Sequence, residues 1–79
     1  MDPILPECLK LVIETGQATI SMLQRRFSLG FSRAARIIDQ MELNKYISPS
    51  EGGKPRNVYI TMEEYNQIFG GGDNWKTKE

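Results

Sequence analysis

The side chains best suited to chemistry in this chain are arginines. Four of the five (Arg25, Arg26, Arg33 and Arg36) fall within twelve residues, and no acid interrupts the span from Gly16 to Ile38. Arg33 and Arg36 are three apart, the spacing that puts two side chains on one face of a helix. A guanidinium can pair through two N–H groups with guanine O6 and N7, and an α-helix fits the major groove of duplex DNA. Ser32 stands beside them at a helix start, where backbone N–H groups also favour a phosphate. The competing reading of such a face is a solvated helix surface.

Other chemistry is thinly provided for. The 79 residues contain no histidine and one cysteine, Cys8. Zinc sites of the usual nitrogen and sulfur kind are therefore not expected, nor is histidine acid–base or Cys–His nucleophilic catalysis. Cys8 lies on an apolar helical face and reads as a buried structural thiol. Gly52-Gly53-Lys54 suggests a phosphate loop, but Ser48 stands at the first glycine position and Pro55 where Ser or Thr is needed. Glu63 and Glu64 sit where helix capping explains them. No catalytic residue, metal ligand or cofactor site is expected.

The elements that must carry the arginines follow from periodicity. Asp2-Pro3 marks a helix start, with Asp2 as cap and Pro3 at the first helical position. Leu5, Cys8, Leu9, Val12 and Ile13 then make one apolar face, and Gly16 ends the helix. Gln17 to Ile20 reads as a short extended stretch. Ser21-Met22-Leu23-Gln24 fits a capping box opening a second, short helix. It ends at Ser28-Leu29-Gly30, with Gly30 suited to a left-handed turn. A third helix is expected from about Ser32 to Leu43. At about 100° per residue, Ala34, Ile37, Ile38 and Met41 gather on one side and Ser32, Arg33, Arg36 and Gln40 on the other.

Lys45 to Ser48 and Arg56 to Ile60 read as two strands around a Gly/Pro-rich tip, a hairpin carrying Lys54 and Arg56. Thr61-Met62-Glu63-Glu64 is a second capping box, opening a last helix whose apolar stripe is Tyr65, Ile68 and Phe69. Gly70-Gly71-Gly72 then breaks the pattern, and residues 70–79, with Trp75, are expected to form a disordered tail. The expected fold is α+β: a winged helix over residues 1–69, with a helix-turn-helix core and a β-hairpin wing. Ser32, Arg33 and Arg36 are the expected base contacts. Gln40, Lys54 and Arg56 are expected at the DNA backbone. Arg25 and Arg26 either meet the backbone or complement the dipole of their own helix.

The net charge is zero, so the basic character is local and a general polycation is excluded. No apolar run approaches the roughly 20 residues of a membrane helix. Met1-Asp2-Pro3 lacks the basic flank of a signal peptide, and a cytoplasmic location is expected.

One resemblance is specific. Leu23-Gln24-Arg25-Arg26-Phe27, followed by Gly30-Phe31-Ser32-Arg33-Ala34-Ala35-Arg36-Ile37-Ile38-Asp39-Gln40-Met41-Glu42, resembles the gamma domain of the FtsK/SpoIIIE DNA translocases. Gly53 to Val58 looks like the wing of the SpoIIIE-type members. The resemblance spans about Pro3 to Ile60. It implies a winged helix at the C-terminus of a hexameric, membrane-anchored motor, reading G-rich oriented sites in double-stranded DNA and so setting the direction of pumping. It implies the residues matching Ser32, Arg33 and Arg36 on bases, and Lys54 and Arg56 in support. It also implies a site-specific recombinase as partner in some members. Phe31 stands where the family has Tyr, Ser32 where it has Asn, and Ser28 where a basic residue is common. Ser32 cannot make the paired adenine contact of an Asn. The alternative is a protein-interaction winged helix meeting a recombinase or motor subunit. A generic repressor would need a dimerisation element, and no stable self-oligomer is expected.

Overall fold

The computed structural model describes residues 2–70. Its first helix, α1, runs Leu5–Thr15. It begins three residues past the expected Asp2 cap, and the reason is Pro6. A helix capped by Asp2 would need the N–H of residue 6 for its first bond, and proline has none. The Asp2 carbonyl accepts instead from Leu5 N–H at 3.0 Å, closing a tight turn. Leu5, Cys8, Leu9 and Val12 are fully buried. Gly16 closes the helix at φ 72°, as its position suggested, donating its N–H to the Val12 carbonyl.

The second helix, α2, spans Ile20–Phe27. Its cap is Thr19, whose hydroxyl accepts from Met22 N–H at 3.2 Å. Ser21, the expected cap, is inside the helix. The earlier start makes Ile20 helical and packs it on the core beside Leu23. Residues 17–19 consequently form no strand. The left-handed turn falls at Ser28 (φ 56°, ψ 45°), while Gly30 is extended at φ −72°.

The third helix, α3, runs Phe31–Leu43 and packs on both α2 and α1. Ala34, Ile37, Ile38 and Met41 are buried, as their spacing predicts. The fourth, α4, is Met62–Phe69, with the Thr61/Glu64 capping box fully made. It lies on α1, where Tyr65 Oη donates to the Pro6 carbonyl at 3.0 Å. Phe69 packs against Tyr65 and edge-on against Tyr46. Ile68, expected in the apolar stripe, is half exposed instead.

The expected α+β winged helix is not what the described residues form. They contain four helices and no sheet. In place of a hairpin wing, residues 46–60 form an arm that turns back on itself with only two isolated bridges, Ile47 to Val58 and Glu51 to Lys54. Side chains have replaced the ladder. The Ser48 carbonyl accepts from the Arg56 guanidinium (2.8 Å), and the Asn57 N–H donates to the Ser48 hydroxyl (2.8 Å). Pro49 and Pro55 have no N–H to donate. The backbone bonds that remain are Ser48 N–H to Asn57 and Tyr59 and Ile60 N–H to Tyr46 at the base, and Lys54 N–H to Glu51 at the tip. The tail beyond Gly70, with Trp75, lies outside the described residues.

The two candidate caps of α2 separate cleanly by substitution. Thr19→Ala should lower unfolding stability by about 1 kcal/mol in urea titration, whereas Ser21→Ala, at an exposed position inside the helix, should leave it unchanged or raise it by a few tenths. The reverse order would place the helix start at Ser21.

Candidate nucleic-acid interface

The candidate interface is oriented by the inward face of α3. Burial of Ala34, Ile37, Ile38 and Met41 fixes the rotation of the helix about its axis. Ser32, Arg33 and Arg36 are thereby turned outward, and all three are exposed. Phe31, the first residue of the helix, is 63% exposed and adds an apolar edge to the same end. Gly30 caps α3 without a side-chain hydrogen bond, so the first-turn N–H groups are met by no capping side chain.

Arg33 is held in place by a residue thirty-one positions away. Its Nε–H donates to Asp2 Oδ2 at 2.9 Å and its Nη2–H to Asp2 Oδ1 at 2.8 Å. Asp2 is anchored in turn, because Oδ1 also accepts the Ile4 N–H at 3.1 Å. The Arg33 hydrogen bonds, with the Ile4 N–H, lower the Asp2 pKa from the usual 3.8 to about 2. The same pairing raises the pKa of Arg33. The helix-cap signal of Asp2 in the sequence does not reveal this pair. The only signal was an acid at the chain start opposite an acid-free basic run, and nothing in the spacing joins them.

The other basic residues divide into two groups. Arg56 is mostly buried, and its Nη1 donates to Glu42 Oε1 (2.9 Å) as well as to the Ser48 carbonyl. It ties the arm to α3. Arg25, Arg26, Arg36 and Lys54 are exposed and form no ion pair among the described residues. Arg25 and Arg26 lie in the last turn of α2. Gln40 is half buried, and its Oε1 is buried without a hydrogen-bond partner among the described residues. An open groove of about 560 Å³ lies between residues 16–20 and the arm, lined by Gln17, Thr19, Lys54 and Arg56 among others. Ser32, Arg33 and Arg36 are not part of it. The structure thus brings those three together on one helix face and puts Lys54 on a separate element.

Cys8 is fully buried, and burial pushes its thiol up to about 11, which fits the structural role read from its position. No helix among the described residues is long and apolar enough to cross a membrane.

Comparison with known proteins decides the family. The Ftsk gamma domain family matches residues 1–61, which hold α1 to α3, the arm and every residue named above as a candidate contact. The chain belongs to the FtsK gamma domain family. A DNA translocase FtsK of Caldanaerobacter subterraneus subsp. tengcongensis is 46% identical over 68 residues, covering 86% of this chain and 10% of the relative. One from Clostridium acetobutylicum is 48% identical over 63 residues, covering 80% and 8%. The DNA translocase SpoIIIE of Bacillus subtilis is 43% identical over 67 residues, covering 85% and 8%. The chain therefore spans about a tenth of the length of these relatives, and the part it matches is the gamma domain rather than the motor.

In this gamma domain the Asp2–Arg33 pair has a defined pH response. A carboxylate whose folded pKa is depressed stabilises the fold above its unfolded pKa and ceases to do so as pH falls through its folded value. The stabilisation is thus complete above pH 4 and disappears towards pH 2. Carboxyl carbon NMR should titrate Asp2 with a midpoint of about 2 in the wild-type chain. In Arg33→Ala the midpoint should move back towards 3.8. A wild-type midpoint already near 3.8 would show the pair does not form in solution.

Proposed function

We propose that this gamma domain binds double-stranded DNA sequence-specifically, with α3 in the major groove, and so orients a chromosome-translocating motor. The observation that carries the reading is the outer face of α3. There Ser32, Arg33 and Arg36 stand exposed on the first two turns of a 13-residue helix. Such a helix is about 20 Å long, enough to lie along a groove. Relatives that match 86% and 85% of this chain are named DNA translocases. That name supports DNA as partner, and G-rich oriented sites suit a paired arginine contact.

In this proposal Arg33 and Arg36 contact guanines, and Ser32 contacts a neighbouring base edge or phosphate. Arg25, Arg26, Gln40 and Lys54 meet the backbone. Arg56 acts mainly by holding the arm that carries Lys54, since its guanidinium is already engaged by Glu42 and Ser48. The zero net charge implies weak non-specific binding, with affinity concentrated in the focused face.

A second reading, a protein-contact domain serving a recombinase or motor subunit, has its own support. Tyr59 and Ile68 are each more than half exposed and line a groove of about 310 Å³ with Lys45, Glu64 and Gln67. The two readings use different surfaces and are separable.

The test is binding to a G-rich oriented duplex and to a scrambled one across a salt series. Arg36→Ala should cost about 1–3 kcal/mol on the G-rich duplex and relax specificity. Lys54→Ala should weaken both duplexes alike and reduce the salt slope by about one unit. If neither duplex binds at moderate salt while the chain remains folded, the DNA reading fails and the protein-contact surface takes its place.

A further inference from the structure

We propose that Asp2 is a positioning residue for base recognition: its carboxylate holds the side-on edge of the Arg33 guanidinium, leaving the end-on edge for a guanine. This inference rests on the reading of α3 as the DNA-contacting helix.

Donor geometry limits how Arg33 can meet a base. A guanidinium carries five N–H donors in a fixed planar fork. The Nε–H and one Nη2–H are taken by Asp2, at 2.9 and 2.8 Å. What remains is the second Nη2–H and the two on Nη1. One hydrogen from each of these nitrogens forms the forward-facing pair, a fork of the kind that matches O6 and N7 of guanine. The other paired approach, through Nε and Nη2, is closed. An arginine with a free guanidinium could meet a base or a phosphate along either edge. This one can make a paired contact along one.

Asp2 is suited to the task because it is itself fixed. Its side chain is only 16% exposed, its Oδ1 accepts the Ile4 N–H, and its carbonyl accepts the Leu5 N–H. The pair therefore links the turn before α1 to the first turns of α3. Arg33 remains 48% exposed, so its guanidinium is held without being covered. An ion pair this open contributes little to stability. It does order a long side chain before DNA arrives, and pre-ordering reduces the entropy lost on binding. The carboxylate also opposes phosphate approach, which lowers affinity for any duplex while favouring the one that supplies a guanine in register.

The experiment uses the full 79-residue chain as wild type, Asp2→Asn, Asp2→Glu, Arg33→Ala and the Asp2→Asn/Arg33→Ala double variant. Each is titrated at fixed moderate salt with the G-rich duplex, with versions in which each guanine pair is replaced singly, and with the scrambled duplex. Asn keeps an oxygen for the Ile4 N–H but loses the charge, and thermal unfolding checks that each variant is folded. Arg33→Ala should lose discrimination at one guanine by about tenfold. Asp2→Asn should lose about threefold or more at that same guanine and bind the scrambled duplex more tightly. Asp2→Glu, which restores the charge, should recover part of the discrimination. The double variant should be no less selective than Arg33→Ala alone.

If Arg33→Ala loses the guanine and Asp2→Asn discriminates like wild type, the role of Asp2 is overturned and the DNA reading stands. If Asp2→Asn lowers selectivity equally in the Arg33→Ala background, Asp2 does not act through Arg33, and the inference is overturned. If the wild-type chain does not discriminate between the duplexes at all, both the inference and the reading beneath it fall.

Discussion

Burial of one stripe of α3 is the constraint on which the rest of the surface depends. Ile37, Ile38 and Met41 have essentially no exposed surface, and each such side chain contributes roughly 1.5–3 kcal/mol by leaving water. Ala34 completes the stripe at the end nearest α2, where its small side chain allows the two helices close contact. With these four residues inside, α3 has one available rotation about its axis. Ser32, Arg33 and Arg36 face solvent because nothing else can be reconciled with that core. A rotation of one residue would bury Arg33 and Arg36 in one direction or Asp39 and Glu42 in the other, and would expose an isoleucine either way, all of which is costly. The basic face is thus a consequence of packing on its other side.

How far this was legible depends on whether the determining interaction is local. The stripe of α3, the Gly16 stop and the Thr61/Glu64 capping box all follow from residues within a few positions of each other, and each appears where the spacing puts it. The start of α1 departs from the Asp2-Pro3 signal because Pro6 lacks the N–H that a helix capped by Asp2 needs. Gly30 invites the left-handed conformation in the turn before α3, but the end of α2 puts it on its C-cap, Ser28, whose N–H donates to the Gln24 carbonyl. In the arm, two strand-like runs around a Gly/Pro-rich tip imply a paired hairpin. They could not reveal that Ser48 and Arg56 would satisfy with side chains what a ladder satisfies with backbone.

The candidate site divides along the same line. That Arg33 and Arg36 share an exposed face was readable from a three-residue spacing. That they differ in kind was not. Arg36 forms no ion pair among the described residues, whereas Arg33 is held by Asp2 across the fold. Lys54 and Arg56, adjacent on the arm and alike in sequence, separate similarly into an exposed cation and a clamp buried against Glu42. A neutral chain can therefore present a local basic face. Two of its acids, Asp2 and Glu42, are paired with arginines, and Arg25, Arg26, Arg36 and Lys54 stand exposed on α2, α3 and the arm, with Lys10 and Lys45 exposed elsewhere.

Amide chemical-shift mapping on the isotope-labelled chain, titrated with a G-rich oriented duplex, distinguishes the two surfaces. With the first two turns of α3 on the DNA, the largest shifts fall on Phe31 to Arg36, with a second group around Lys54, while the groove at Tyr59, Gln67 and Ile68 is unaffected. Shifts centred on that groove, with Arg33 and Arg36 unmoved, would contradict this placement of α3.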